Sequence, residues 1–255
     1  MRFIIMHKTA PRWEAGERPS EALIWRVGAL IGDLQAAGIF LGGEGLRASS
    51  EGVRLGFSGG TRTIVKGPFQ GGNELPAGFS ILRAKSMDAA IDFATRQAAV
   101  LDDEEADIRP VTEPWDIGLA PVPADADTRR YMVLRKATAA TESGAAPTTA
   151  QRASFTQLID EATRSGTHLL TETMRPSRRG RRYRNSVAGI STFDGPFAET
   201  KELLAGYTII SAGSLDEVDP WARRYTLTVE AEEVDVRELE DRWPLAADRS
   251  LIQSE

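Results

Sequence analysis

The sequence predicts an α+β protein built from two copies of one unit, pressed together as an intramolecular pseudo-dimer. Three observations carry this. A self-similarity at a fixed offset of 128 residues runs through the 255-residue chain. Each copy alternates short apolar runs with stretches of helical spacing. Hairpin signals join neighbouring strands, which favours a mainly antiparallel sheet with its helices on one face.

The offset appears first in Lys66-Gly67-Pro68-Phe69, which recurs as Asp194-Gly195-Pro196-Phe197. It also carries Gly78-Phe79-Ser80-Ile81 onto Gly206-Tyr207-Thr208-Ile209 and pairs Arg2 with Arg130, Glu44 with Glu172, and Arg109 with Arg237. No gap is needed between Arg2 and Trp115, and identities fall at roughly three positions in ten. Two copies are too few for a solenoid, so the pattern reads as a duplicated domain. Copy 1 is assigned to residues 1–118 and copy 2 to 129–245, with a proline-containing linker at 119–128 and a tail at 246–255.

Within each copy the elements follow in order. Phe3-Ile4-Ile5-Met6 and Tyr131-Met132-Val133-Leu134 are continuous apolar runs, as expected of a strand buried on both faces. Long loops follow, Thr9 to Ser20 and Thr138 to Thr149. Leu23, Val27, Leu30, Ile31 and Leu34 then predict a helix from Ser20 to Ala37, stopped at Gly38; Phe155, Leu158, Ile159 and Ala162, ending at Gly166, match it. Ile39 to Leu41 and Val53 to Phe57 read as strands. Ser58-Gly59-Gly60 turns the second into Thr61 to Val65. Gly78 to Ala84 is a further strand, Ser86 to Leu101 a helix, and Ala106 to Val111 the closing strand. In copy 2 the last helix opens Ser214-Leu215-Asp216-Glu217, a capping-box pattern. Such a sheet has one bare face, and two copies in tandem can bury both by packing these faces together.

Composition narrows the chemistry. The chain has no cysteine, which removes disulfides, thiolate nucleophiles and cysteine-ligated metals. Its net charge is -6, divided as -5 for residues 1–127 and -1 for 128–255, so neither half is a basic nucleic-acid module overall. No apolar stretch is long enough to span a bilayer, and the N-terminus turns polar too quickly for a signal peptide. A cytoplasmic location is expected.

Asp194 to Leu203, Asp-Gly-Pro-Phe-Ala-Glu-Thr-Lys-Glu-Leu, resembles the signature of the YCII-related, or DGPF-domain, proteins. Gly43-Glu44-Gly45-Leu46, Phe57-Ser58-Gly59-Gly60 and Lys66-Gly67-Pro68-Phe69 extend the likeness to copy 1. The resemblance covers about 110 residues of each copy and implies two ferredoxin-like repeats of the dimeric α+β barrel type, with pockets between sheet and hairpin. Members of the wider YCII group use a histidine–aspartate pair, the histidine standing at the start of the first helix. Here those positions read Pro19-Ser20-Glu21 and Pro147-Thr148-Thr149, so that chemistry does not carry over. Copy 1 also has Lys66 in place of the aspartate.

Asp194 and His7 are the catalytic candidates. The glycine–proline turn can aim Asp194 into a pocket as an acid or base, or serve only to pack Phe197; His7 titrates near neutrality. Glu44 with Arg47, and Glu172 with Arg175, keep sign and spacing in both copies and read either as surface pairs or as the polar mouth of a ligand pocket. Lys66 and Lys136 complete the ligand-binding set. No metal or cofactor is expected, since His7 and His168 fall at unrelated positions of the repeat. Arg178 to Arg184, with five arginines, reads as a solvated basic hairpin that docks on an acidic partner surface rather than on nucleic acid. Two functions stand side by side. One is binding of a small polar or anionic molecule in a barrel pocket, with weak lyase- or isomerase-type acid–base chemistry open to it; the other is a non-catalytic regulatory or interaction module with a packed barrel. No membrane contact is expected, and further homodimerisation of the fused pair is left open.

Overall fold

The computed structural model describes residues 1–69, 72, 74–124, 126–197 and 203–241. The 246–255 tail and the Ala198-to-Glu202 part of the signature lie outside these. In the first half the order is β1 (Arg2–Lys8), α1 (Pro11–Glu14), α2 (Glu21–Ala36), β2 (Phe40–Gly45), β3 (Val53–Ser58), β4 (Thr61–Lys66), β5 (Pro76–Ala84), α3 (Met87–Leu101) and β6 (Glu105–Pro110). The second half follows with β7 (Arg129–Lys136), α4 (Ala139–Ser143), α5 (Thr149–Arg164), β8 (His168–Thr173), β9 (Gly180–Ser186), β10 (Gly189–Asp194), β11 (Leu204–Ser211), α6 (Leu215–Thr228) and β12 (Glu233–Glu238). Elements of the first half thus recur 128 positions later, and α2 with α5, β2 with β8, β4 with β10, and β6 with β12 do so without a residue of drift. Two short helices, α1 and α4, sit where the sequence suggested only loops. Pro11 supplies the fixed φ suited to a first helical turn, and Thr138 caps α4 by accepting from Thr141 N.

The strands form two antiparallel six-stranded sheets ordered β10-β9-β12-β1-β11-β2 and β4-β3-β6-β7-β5-β8. Each sheet draws on both sequence copies. β1 lies between β11 and β12, and β7 between β5 and β6. The boundary expected at 119–128 does not divide the sheets, since the sheet beginning at β4 is continuous in sequence from β3 to β8. This exchange is invisible to periodicity, which reports that a strand is buried but not which neighbours bury it.

The period-2 pattern of the exchanged strands shows how the layers stack. Phe3 and Ile5 of β1 face a core shared with α2 and α6, while Ile4 and Met6 face the other sheet. In β7, Tyr131 and Val133 face α3 and α5, and Met132 and Leu134 point between the sheets. The two sheets thus pack face to face, with helices on each outer side. Their shared interior is filled by Ile4, Met6, Phe79, Ile81, Met132, Leu134, Tyr207 and Ile209, all nearly inaccessible. At its centre Phe79 meets Tyr207, its own counterpart in the repeat, with ring centroids 4.8 Å apart.

Cap details differ slightly from expectation. Ser214 accepts from Glu217 N, but the Glu217 carboxylate reaches Gly213 N at 2.8 Å rather than the Ser214 amide.

A fragment of residues 1–118 contains β5 and β6 but not the β7 that lies between them. It should fold only as a dimer in which β1 of each fragment fills the other's gap. A folded monomer in sedimentation experiments would contradict this.

Candidate functional site

The Gly-Pro-Phe turns are held by backbone fit. A Cβ on Gly195 would lie 1.9 Å from the Ser177 carbonyl oxygen, and one on Gly67 would lie 1.8 Å from that of Ser49; only glycine allows the approach. Both serines are fully buried, and each hydroxyl accepts the amide of the turn phenylalanine, Phe69 N at 3.1 Å and Phe197 N at 3.0 Å. Behind the serines stand two more repeat-related residues. Glu14 accepts from Ser49 N at 2.9 Å, and Glu142 accepts from Ser177 N at 2.9 Å and from Arg237 Nη2 at 3.1 Å. Arg109 and Arg237 are almost wholly buried. Their guanidinium Nε groups donate to the carbonyls of Arg47 and Arg175 at 2.9 and 3.1 Å, which offsets part of the cost of enclosing the charge.

The phenylalanines also sit over arginines. Phe69 faces Arg54 at 4.7 Å and Phe197 faces Arg182 at 4.5 Å. These arginines anchor buried charge clusters. Arg54 Nε donates to Asp107 at 2.6 Å and Arg54 Nη2 to Glu74 at 2.8 Å, while Lys136 bridges Glu74 and Asp107, the latter at 2.7 Å. In the other sheet Arg182 Nε lies 2.6 Å and Lys8 Nζ 3.0 Å from Asp235. Burial alone would raise the Asp107 pKa, but the Arg54 hydrogen bond and the Lys136 charge hold it below the usual aspartate value. Asp235 is likewise lowered against its burial, by Lys8 and Arg182.

Lys136, chosen from sequence as a ligand contact, is thus enclosed and paired. Glu44 and Glu172 take other partners than the expected Arg47 and Arg175. Glu44 pairs with Arg130, and Glu172 accepts from Arg2 at 2.6 Å, each joining one sheet to the other. Burial raises the Glu44 pKa despite Arg130. Arg47 turns to Glu51 at 2.6 Å and Arg175 to Glu238 at 3.0 Å. Lys66 ends β4 exposed to solvent. Asp194 is exposed and pairs with Arg181 at 2.7 Å. His7 Nδ1 lies 2.8 Å from the Tyr225 hydroxyl, and its pKa is lowered to about 4 by burial and then by Lys8. The basic run is largely neutralised within the chain: Arg179 meets Glu238, Arg181 meets Asp194 and Asp216, Arg182 meets Asp235, and Arg184 meets Glu233.

A cleft forms elsewhere, and none of the residues chosen from the sequence as catalytic or ligand-binding lines it. It has a volume of about 520 Å³, with Leu75, Ala137, Ala139, Pro196 and Phe197 as apolar walls and Thr138, Glu142 and Arg178 as polar ones. It lies on the seam between sheets, since Leu75 and Ala137 flank β5 and β7 while Phe197 follows β10. Arg178 donates from Nη1 to the Glu142 carbonyl at 2.8 Å. Alone in the basic run, it has no carboxylate partner among the described residues. Glu142 and Ser177 were legible only as repeats of Glu14 and Ser49.

Residues 130–240 match the family model of the YCII-related domain. No curated protein and no solved structure matches the chain. No helix among the described residues is long and apolar enough to cross a membrane.

Lys136→Ala leaves Glu74 and Asp107 short of one cation. It should cost about 3 kcal/mol of unfolding free energy in urea titrations. His168, like His7, has its pKa lowered to about 4 by burial. Both histidines bind a proton more weakly folded than unfolded, where 6.5 applies, so stability should fall as pH drops from 6.5 through about 4. His7→Gln should roughly halve that slope; an unaltered slope would show that His7 is not held neutral by the fold.

Proposed function

We propose that the chain binds a small anion carrying an apolar portion in the seam cleft. The single supporting observation is the Arg178 guanidinium, which has no carboxylate partner among the described residues and stands in one cleft with Leu75, Ala137, Pro196 and Phe197. Arg237 neutralises the Glu142 carboxylate, so the cleft keeps a surplus positive charge. A carboxylate or phosphate would take the Arg178 donors, and its apolar portion would lie against Pro196 and Phe197. The match at residues 130–240 supports reading the second half as a YCII-like unit of DGPF type, and the 128-residue offset supports reading the first half as a diverged copy of it, arising by tandem duplication. The strand orders β12-β1-β11-β2 and β6-β7-β5-β8 support a ferredoxin-like pseudo-dimer of the α+β barrel type in which the copies exchange their first halves. Lyase- or isomerase-type chemistry through Asp194 or His7 draws no support from the geometry, because neither lines the cleft.

A second reading, a non-catalytic interaction module, is favoured by the filled interior between the sheets. Benzoate and phenyl phosphate, titrated by calorimetry and thermal shift, distinguish the two. Binding should stabilise the fold, weaken about tenfold or more in Arg178→Ala, and be unchanged in Asp194→Asn. Absence of binding by both anions would favour the interaction module.

A further inference from the structure

A second depression, of about 460 Å³, lies beside the β3–β4 hairpin, with Gly56, Phe57, Thr63, Glu104 and Glu105 in its wall. The other half of the chain shows what fits such a place. The counterpart of Gly56, 128 residues on, is Arg184, and the counterpart of Glu105 is Glu233. Arg184 Nε donates to Glu233 at 3.0 Å, and its guanidinium stands 5.4 Å from the Phe193 ring. On its inner side each glutamate meets the same kind of neighbour: Arg182 Nε is 3.3 Å from Glu233, and Arg54 Nε is 3.5 Å from Glu105. Glu105 therefore keeps the inner arginine of its counterpart, but the outer one is replaced by a residue with no side chain. Burial raises its pKa, and Arg54 offsets this only in part. The void is permitted by Gly56, whose Cβ position would lie 2.7 Å from Thr63 Oγ1; the second half has the smaller Ser191 there.

We propose that this depression receives a guanidinium group from outside the chain, seated on Glu105 with Glu104 at the rim. It occupies the place that Arg184 fills from within the chain in the other half. The guanidinium is carried either by a small molecule or by an arginine of another protein. The site is independent of the anion cleft, with which it shares no lining residue.

Titration of the full chain with N-acetylargininamide, followed by amide chemical shifts, tests this. Saturable shifts at Phe57, Glu104 and Glu105 are expected, weakened about tenfold in Glu105→Gln. The double variant Gly56→Arg with Thr63→Ser copies the second half and should abolish binding by filling the site. An arginine within a short glycine peptide separates the sources. Tighter binding than the free amide points to a protein arginine, and equal binding to a small guanidine. No saturable shift with either probe, or undiminished binding in Glu105→Gln, overturns the proposal.

Discussion

The insertion of β1 between β11 and β12, mirrored by β7 between β5 and β6, governs the remainder of the molecule. A strand with neighbours on both edges and apolar layers on both faces has no exposed backbone to satisfy. It also leaves each sheet incomplete without strands from both halves of the chain. The exchanged strands end in Lys8 and Lys136, and the host sheets receive these with Asp235 and Asp107. Register is thereby tied to charge as well as to packing, because a one-residue slip would turn either lysine away from its aspartate.

The same exchange places several charged side chains between the sheets and behind the turns. Arg2, Glu44, Arg130 and Glu172 join one sheet to the other, while Arg109 and Arg237 sit behind the Gly-Pro-Phe turns. Residues conserved in sign between the halves are thus largely consumed in holding the assembly together. The surfaces with chemistry to spare are those where the halves differ. Arg178 stands where the first half has Ser50, and Gly56 stands where the second half has Arg184.

Much of the architecture was legible in the sequence. The 128-residue offset located the recurring elements, and the apolar runs Phe3 to Met6 and Tyr131 to Leu134 announced strands buried on both faces. Strand exchange was not legible, because an apolar run has the same appearance whichever copy supplies its neighbours. Pairing charges by nearness in sequence failed for a related reason. Glu44 and Arg47 are three residues apart yet serve separate contacts, whereas Glu44 and its partner Arg130 are 86 apart. The seam cleft was hidden as well, since Leu75, Glu142, Arg178 and Phe197 share no motif and meet only after the sheets assemble.

The meeting of Phe79 with Tyr207 has a consequence for how such a molecule can change. In a dimer of identical chains, a position on the two-fold axis faces itself, and every substitution there arrives twice. With both positions carried by one chain that constraint is absent, so one place can hold a phenylalanine while the other holds a tyrosine. The centre of the interface, usually the least mutable place in a symmetric dimer, becomes a place where the two halves can diverge.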